Sequence, residues 1–153
     1  MAKLWKAIYS ALFLTEQSAE VAKELGKRLA PTLENGFAHH LTLKFRPSEA
    51  EVEALPIGEQ VVLTCIGYVA DARACALVCE VPEGIEFIND APPHITLCTG
   101  TDAEGKKIPP KASKEVLGEI EMKTFSPPIL LVARVGAFNG KEDKFDFTGS
   151  VYE

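Results

Sequence analysis

The chain has 153 residues, 46% of them hydrophobic, and a formal net charge of −6. That length and apolar content suit one globular domain over residues 1–153 with a substantial core, and no apolar run is long enough to span a membrane. The acidic balance excludes a wide basic face gripping a long duplex, so duplex DNA is not an expected partner, whereas a narrow positive cleft can still hold a small nucleotide or an RNA end.

Taken in chain order, Trp5 to Leu14 is apolar and rich in β-formers and reads as the first strand. The opening residues lack a signal-peptide core and cleavage site, so the expected location is cytoplasmic, with no membrane partner. Thr15 is placed to cap a helix over Glu16 to Leu29, which Pro31 stops; Ala19, Ala22, Leu25 and Leu29 form its expected core stripe. Asn35-Gly36 signals a turn, and Phe37 to Phe45 a second strand. Ser48 with Glu51 is a capping box for a short helix to Leu55. Gln60 to Val69 and Ala72 to Val81 read as a hairpin in the middle of a sheet. Pro82 to Pro93 is a loop, and Pro92-Pro93 stiffens the backbone before a strand over His94 to Thr99. Gly100 to Pro110 is a polar connection carrying Lys106 and Lys107. Ser113 is the expected cap of a helix through Leu117. A strand over Glu119 to Lys123, a break at Ser126-Pro127-Pro128, a strand over Ile129 to Phe138 and an edge strand over Lys144 to Thr148 complete the chain, with residues 149–153 as a tail. The cysteines Cys65, Cys75, Cys79 and Cys98 show no metal-finger spacing and read as buried free thiols, with Cys98 the one that alternation brings nearest a cleft face.

Two of the three histidines sit in near-identical tetrapeptides 54 residues apart, His40-Leu41-Thr42-Leu43 and His94-Ile95-Thr96-Leu97. In a strand, alternate side chains share a face, so each histidine points with its threonine while the aliphatic residues enter a core. Side by side, the two strands would face two imidazoles and two hydroxyls into one cleft. One histidine can take a proton and the other give one, and the threonines can hold a phosphate, which is enough to break a phosphodiester without a metal or cofactor. Which histidine is base and which is acid stays open at this level. His39 should point to the opposite face of a regular strand; the alternative is that a bulge makes it the catalytic base, against which the match of Leu41 and Leu43 with Ile95 and Leu97 favours His40. Lys44, two residues past Thr42, should share the catalytic face and contact phosphate, and Tyr9 should line the cleft and stack a base. Lys106 and Lys107 are weaker candidates for a phosphate clamp.

The paired H-x-T-aliphatic motifs resemble those of the 2H phosphoesterase superfamily, and the order of elements is similar from the first strand to about residue 138. The resemblance implies an α+β fold of two pseudo-symmetric antiparallel sheets lining a central cleft, with helices outside. It implies hydrolysis of a ribose phosphodiester, with His40, Thr42, His94 and Thr96 as catalytic residues. The compact spacing is similar to RNA-repair phosphodiesterases acting on 2′,3′-cyclic phosphate ends, and to the small phage anti-CBASS enzymes that destroy cyclic-oligonucleotide immune signals. A catalytically inactive nucleotide-binding module is the alternative, which a turnover assay separates. A structural protein with incidental strand histidines is a third class, which nucleotide binding would exclude. Oligomeric state is not readable.

Overall fold

A computed structural model describes residues 7–145. Its elements are β1 (Tyr9–Leu14), α1 (Glu16–Leu29), β2 (Asn35–Gly36), β3 (His40–Phe45), α2 (Glu49–Glu53), β4 (Gln60–Ala70), β5 (Ala74–Glu80), β6 (His94–Thr99), α3 (Ala112–Glu119), β7 (Lys123–Phe138) and β8 (Asp143–Lys144). Helices and strands mix as an α+β chain requires. The strands form one antiparallel sheet in the order β1-β3-β6-β5-β4-β7-β8, and β1 also pairs with β7. That pairing closes six strands into a barrel, where two separate sheets were expected. The closure rests on the length of β7: Ile129 to Arg134 pair with β4, while Ala133 to Phe138 pair with β1. The seam between β3 and β6 is the thinnest part of the barrel, with Leu41 opposite Ile95 as its single register pair.

Local signals explain α1 and α2. The Thr15 hydroxyl accepts from the Ser18 N–H at 3.3 Å, and Ser48 with Glu51 makes the reciprocal capping box. The buried stripe of α1 differs from the expected one. Ser18, Ala22 and Gly26 are buried, while Ala19, Leu25 and Leu29 are half-exposed. The reason is close approach. A Cβ added to Gly26 would lie 3.4 Å from Leu97 Cβ and 3.5 Å from Cys98 Sγ, so only small residues fit along the contact line. Ser18 also fastens the helix to the sheet by accepting the Val132 N–H at 2.8 Å.

Leu12, Leu41, Leu43, Leu63, Leu77, Ile95, Leu97 and Leu131 point into the core that α1 packs against, each at most 2% exposed. α3 covers the opposite face of β4 and β5 through Ala112 and Val116 against Val69, Ala76 and Val78. The hairpin of β4 and β5 is central, as expected, and the four cysteines are buried free thiols. Asn35-Gly36 is not a free turn: it pairs with Thr99 and Cys98 of β6. Ser113 lies inside α3 and does not cap it. The expected break at Ser126-Pro127-Pro128 falls within β7, where the register passes from Ile129 opposite Cys65 to Thr124 opposite Gly67. The intervening residues are accommodated as a bulge, which relieves the prolines of ladder donation. Of the expected edge strand, Lys144 pairs with Ala137, and residues 146–148 lie outside the described residues, as do Trp5 and the 149–153 tail. Among the described residues no helix is long and apolar enough to cross a membrane.

Candidate active site

The site is built at the β3–β6 seam. Leu41 and Ile95 face each other and turn inward, so His40 and Thr42 on one strand and His94 and Thr96 on the other turn outward together. The strands are antiparallel, so each histidine lies toward the other motif's threonine. This outward face opens into a cavity of about 610 Å³. His40, Thr42, His94 and Thr96 lie on its wall, as the alternation predicts, and Tyr9 of β1 lines it beside them.

Lys44 does not reach this cavity. Ala11 pairs with Thr42 but Ser10 pairs with Lys44, which leaves Leu43 as the extra residue of a bulge. Residues paired across a sheet share a face, so one extra residue reverses every later side chain. Lys44 therefore leaves the cleft and pairs its ammonium with Glu51 of α2, while Phe45, opposite Tyr9, takes its place in the cavity wall. The second motif carries the same device. Ala76 pairs with Thr96 but Cys75 with Cys98, so Leu97 is the extra residue. This turns Cys98 inward, where its Sγ lies 3.9 Å from the Gly26 carbonyl, away from the cleft face on which alternation put it. The motifs are thus repeated in geometry as well as in letters: each ends on a buried leucine that bulges.

His39 also departs from the regular strand. Ala38 has φ 53°, a left-handed conformation that interrupts the extended backbone. As a result His39 and His40 both reach the cavity, with Nδ1 atoms 2.9 Å apart and rings nearly perpendicular at 87°. His39 Nε2 in turn lies 3.1 Å from Asp143 Oδ2. Tyr9 stacks on His40 with centroids 4.8 Å apart, and burial, reinforced by the Asp143 charge, pushes its phenol up to about 12. It is therefore a neutral aromatic surface at working pH.

Burial, with His39 and His94 adding to it, lowers the His40 imidazole to about 4. His94 is also held below its ordinary value of 6.5, first by burial and then by the Lys114 charge, while its bond to Pro92 opposes them. His94 Nδ1 is 2.8 Å from the Pro92 carbonyl oxygen. A carbonyl only accepts, so Nδ1 carries the proton and Nε2 is left for chemistry. The Pro92-Pro93 pair thus holds that carbonyl behind the histidine. Thr96 Oγ1 lies 2.8 Å from the buried Ser113 Oγ of α3, whereas the Thr42 hydroxyl has no protein partner among the described residues.

Sequence reasoning missed the far rim. Lys111 and Lys114, at the start of α3, line the cavity, and Lys114 also bonds Asp90 at 2.7 Å. Lys106 and Lys107 do not line it: Asp102 closes their loop by accepting the Glu104 and Lys106 N–H groups at 2.9 Å. Two lysines and three histidines face the cavity, and no described carboxylate lines it, in a chain of net charge −6. Such a lining focuses an anion. Tyr9, Phe37 and Phe45 add a flat apolar wall. Among the described residues no three His, Cys, Asp or Glu side chains converge as a metal cage. The chain matches no protein-family model and no curated protein.

Proposed function

We propose that the protein is a cytoplasmic, metal- and cofactor-independent phosphodiesterase of the 2H type. Its substrate is a small or terminal nucleotide: a cyclic oligonucleotide messenger, as in phage anti-CBASS immune evasion, or an RNA 2′,3′-cyclic phosphate. The observation that carries this reading is the convergence of both H-x-T motifs on one cavity that carries cationic groups and lacks carboxylates. The two halves flanking the seam, β1 with β3 and β5 with β6, each with a bulge at the last residue of its motif, are read as the two pseudo-symmetric lobes.

In the reaction, His40 is the base and His94 the acid. A neutral His40 takes the proton of the attacking hydroxyl or water as the new P–O bond forms. His94 gives its Nε2 proton to the leaving ribose oxygen as the old P–O bond breaks. Thr42 and Thr96 donate to the non-bridging oxygens. The assignment follows the electrostatics. His40 is the more strongly depressed and stays a lone-pair donor down to about pH 4, while the Pro92 carbonyl favours the cationic form of His94. A bound phosphate lies among these groups and favours the protonated imidazole.

This gives a pH profile for the free enzyme. The base is competent above about 4 and the acid is lost as pH rises through the His94 value, below 6.5. A plot of kcat/KM should therefore peak on the acid side of 6.5 and fall toward alkaline pH. A kcat/KM maximum above pH 8 would contradict the assignment.

Substrate class is tested with a panel comprising a cyclic dinucleotide, a short RNA with a 2′,3′-cyclic phosphate end and a long single-stranded RNA, with product analysis on the wild type and affinities on His40→Ala. A cavity of about 610 Å³ is of small-molecule size, within the roughly 300–1,000 Å³ of ligand pockets. The two short ligands should bind more tightly than the polymer near physiological salt, because the acidic surface can neutralise few of its phosphates at once. Tight, length-dependent polymer binding with a steep salt slope would move the protein toward bulk RNA processing. Binding of a nucleotide without turnover would favour the inactive binding module.

A further inference from the structure

We infer that His39 and Asp143 form a positioning relay behind His40 that fixes which nitrogen of its imidazole meets the substrate, a role that rests on the acid–base reading of His40 above. The two contacts run in series: Asp143 Oδ2 to His39 Nε2 at 3.1 Å, and His39 Nδ1 to His40 Nδ1 at 2.9 Å. The second joins two ring nitrogens, so one proton must lie between them, and which ring owns it depends on the far end of the chain.

An ionised carboxylate only accepts. Asp143 therefore holds a proton on His39 Nε2. In neutral His39 this leaves Nδ1 as an acceptor, so His40 must donate from its own Nδ1. The His40 lone pair is then on Nε2, on the side of the ring away from the relay. Without the carboxylate, His39 is free to carry its proton on Nδ1 and donate it to His40. That arrangement puts the His40 proton on Nε2 and removes the base from the cleft. When His40 takes a proton during turnover, its Nδ1–H bond to His39 becomes charge-assisted, and the carboxylate beyond offsets the new charge.

The fold holds these groups from several directions. Ala38, at φ 53°, brings consecutive histidines to one side. Phe13 packs edge-on against His39 at 5.3 Å and tilted against His40 at 5.7 Å. The pairing of Phe138 with Asp143 delivers the carboxylate from the chain's far end. The titratable groups around His40 are Tyr9 from β1, His94 from β6, His39 from the preceding segment and, through it, Asp143 from β8; Lys114 of α3 acts on His94.

The test compares the wild type with Asp143→Asn, His39→Ala and His39→Asn. Ring-nitrogen chemical shifts, measured by NMR near neutral pH, report the His40 tautomer without any need for turnover. The wild type should show the proton on Nδ1. Asp143→Asn removes the charge and offers an amide N–H to His39 Nε2, so it should move the His40 proton partly or wholly to Nε2. In kinetics on the nucleotide that the wild type cleaves, Asp143→Asn and His39→Ala should lower kcat by at least roughly 10-fold and by up to about 10⁴-fold, the span between losing an outer partner of a ligating imidazole and losing the carboxylate behind a catalytic one. KM should change little. His39→Asn, whose side-chain oxygen can accept from His40 Nδ1, should recover part of the loss, which a general packing defect would not allow. An unchanged His40 tautomer in Asp143→Asn, or wild-type kcat in both Asp143→Asn and His39→Ala, overturns the relay. Absence of wild-type turnover on every nucleotide overturns the phosphodiesterase reading instead, and the tautomer comparison still decides the relay.

Discussion

His40→Ala and His94→Ala should each lower kcat/KM by roughly 10²- to 10⁴-fold, the usual cost of removing a general acid or base. That range corresponds to about 2.7–5.5 kcal/mol of transition-state stabilisation. Both imidazoles project from strand residues flanked by fully buried Leu41 and Ile95, so truncation removes outward atoms and leaves the core intact. The double variant should lose much less than the product of the single losses, because acid and base act on one transition state. Affinity for a nucleotide should survive, since Thr42, Thr96, Lys111 and Lys114 still line the cavity. Excess chelator should leave the wild type active. Full activity in either alanine variant, or loss on chelation that added metal restores, would sink the two-histidine mechanism.

The threonines should have the next largest effect. Thr42→Val and Thr96→Val keep the branched shape and remove a hydroxyl, so each should cost on the order of 10²-fold in kcat, as loss of one oxyanion donor does. Their stabilities should differ. Thr42 has no described protein partner, so its replacement should leave the thermal midpoint almost unmoved. Thr96 bonds the fully buried Ser113 hydroxyl, and orphaning that group should cost about 1–3 kcal/mol. Wild-type kinetics in both valine variants would mean that phosphoryl oxygens do not sit between the two motifs.

Much of the local structure was legible in the residues. The bounds of α1 follow from Thr15 and Pro31, those of α2 from its Ser48–Glu51 box, and β6 from the Pro92-Pro93 pair and apolar alternation that delimit it. Each depends on contacts within a few residues. Asn35-Gly36 and Ser126-Pro127-Pro128 carry turn-forming residues, but β6 pairs the first directly, and β4 supplies partners on both sides of the second, so that the break is a bulge within one strand. Ser113 has the hydroxyl that favours a helix start, but in the fold it lies within α3 and Thr96 claims that hydroxyl.

The site divides the same way. By itself the sequence determined most of the elements, though not the strand expected over Glu119 to Lys123, where α3 runs on to Glu119 and β7 begins only at Lys123. It also determined the duplicated motif and the common outward direction of His40 with Thr42 and of His94 with Thr96, because the two-residue period of a strand is a property of the backbone. Only the tertiary structure decided what lies beside them. The bulges at Leu43 and Leu97 and the left-handed Ala38 reverse or interrupt that period at single residues. They exchange Lys44 for Phe45, turn Cys98 into the core and bring His39 to His40. Cross-strand pairing with β1 and β5 sets both bulges, and such pairing joins residues far apart in the chain. The same non-local pairing joins β7 to both β4 and β1, closing one barrel and setting Asp143 behind His39, while the packing of α3 carries Lys111 and Lys114 to the cavity rim.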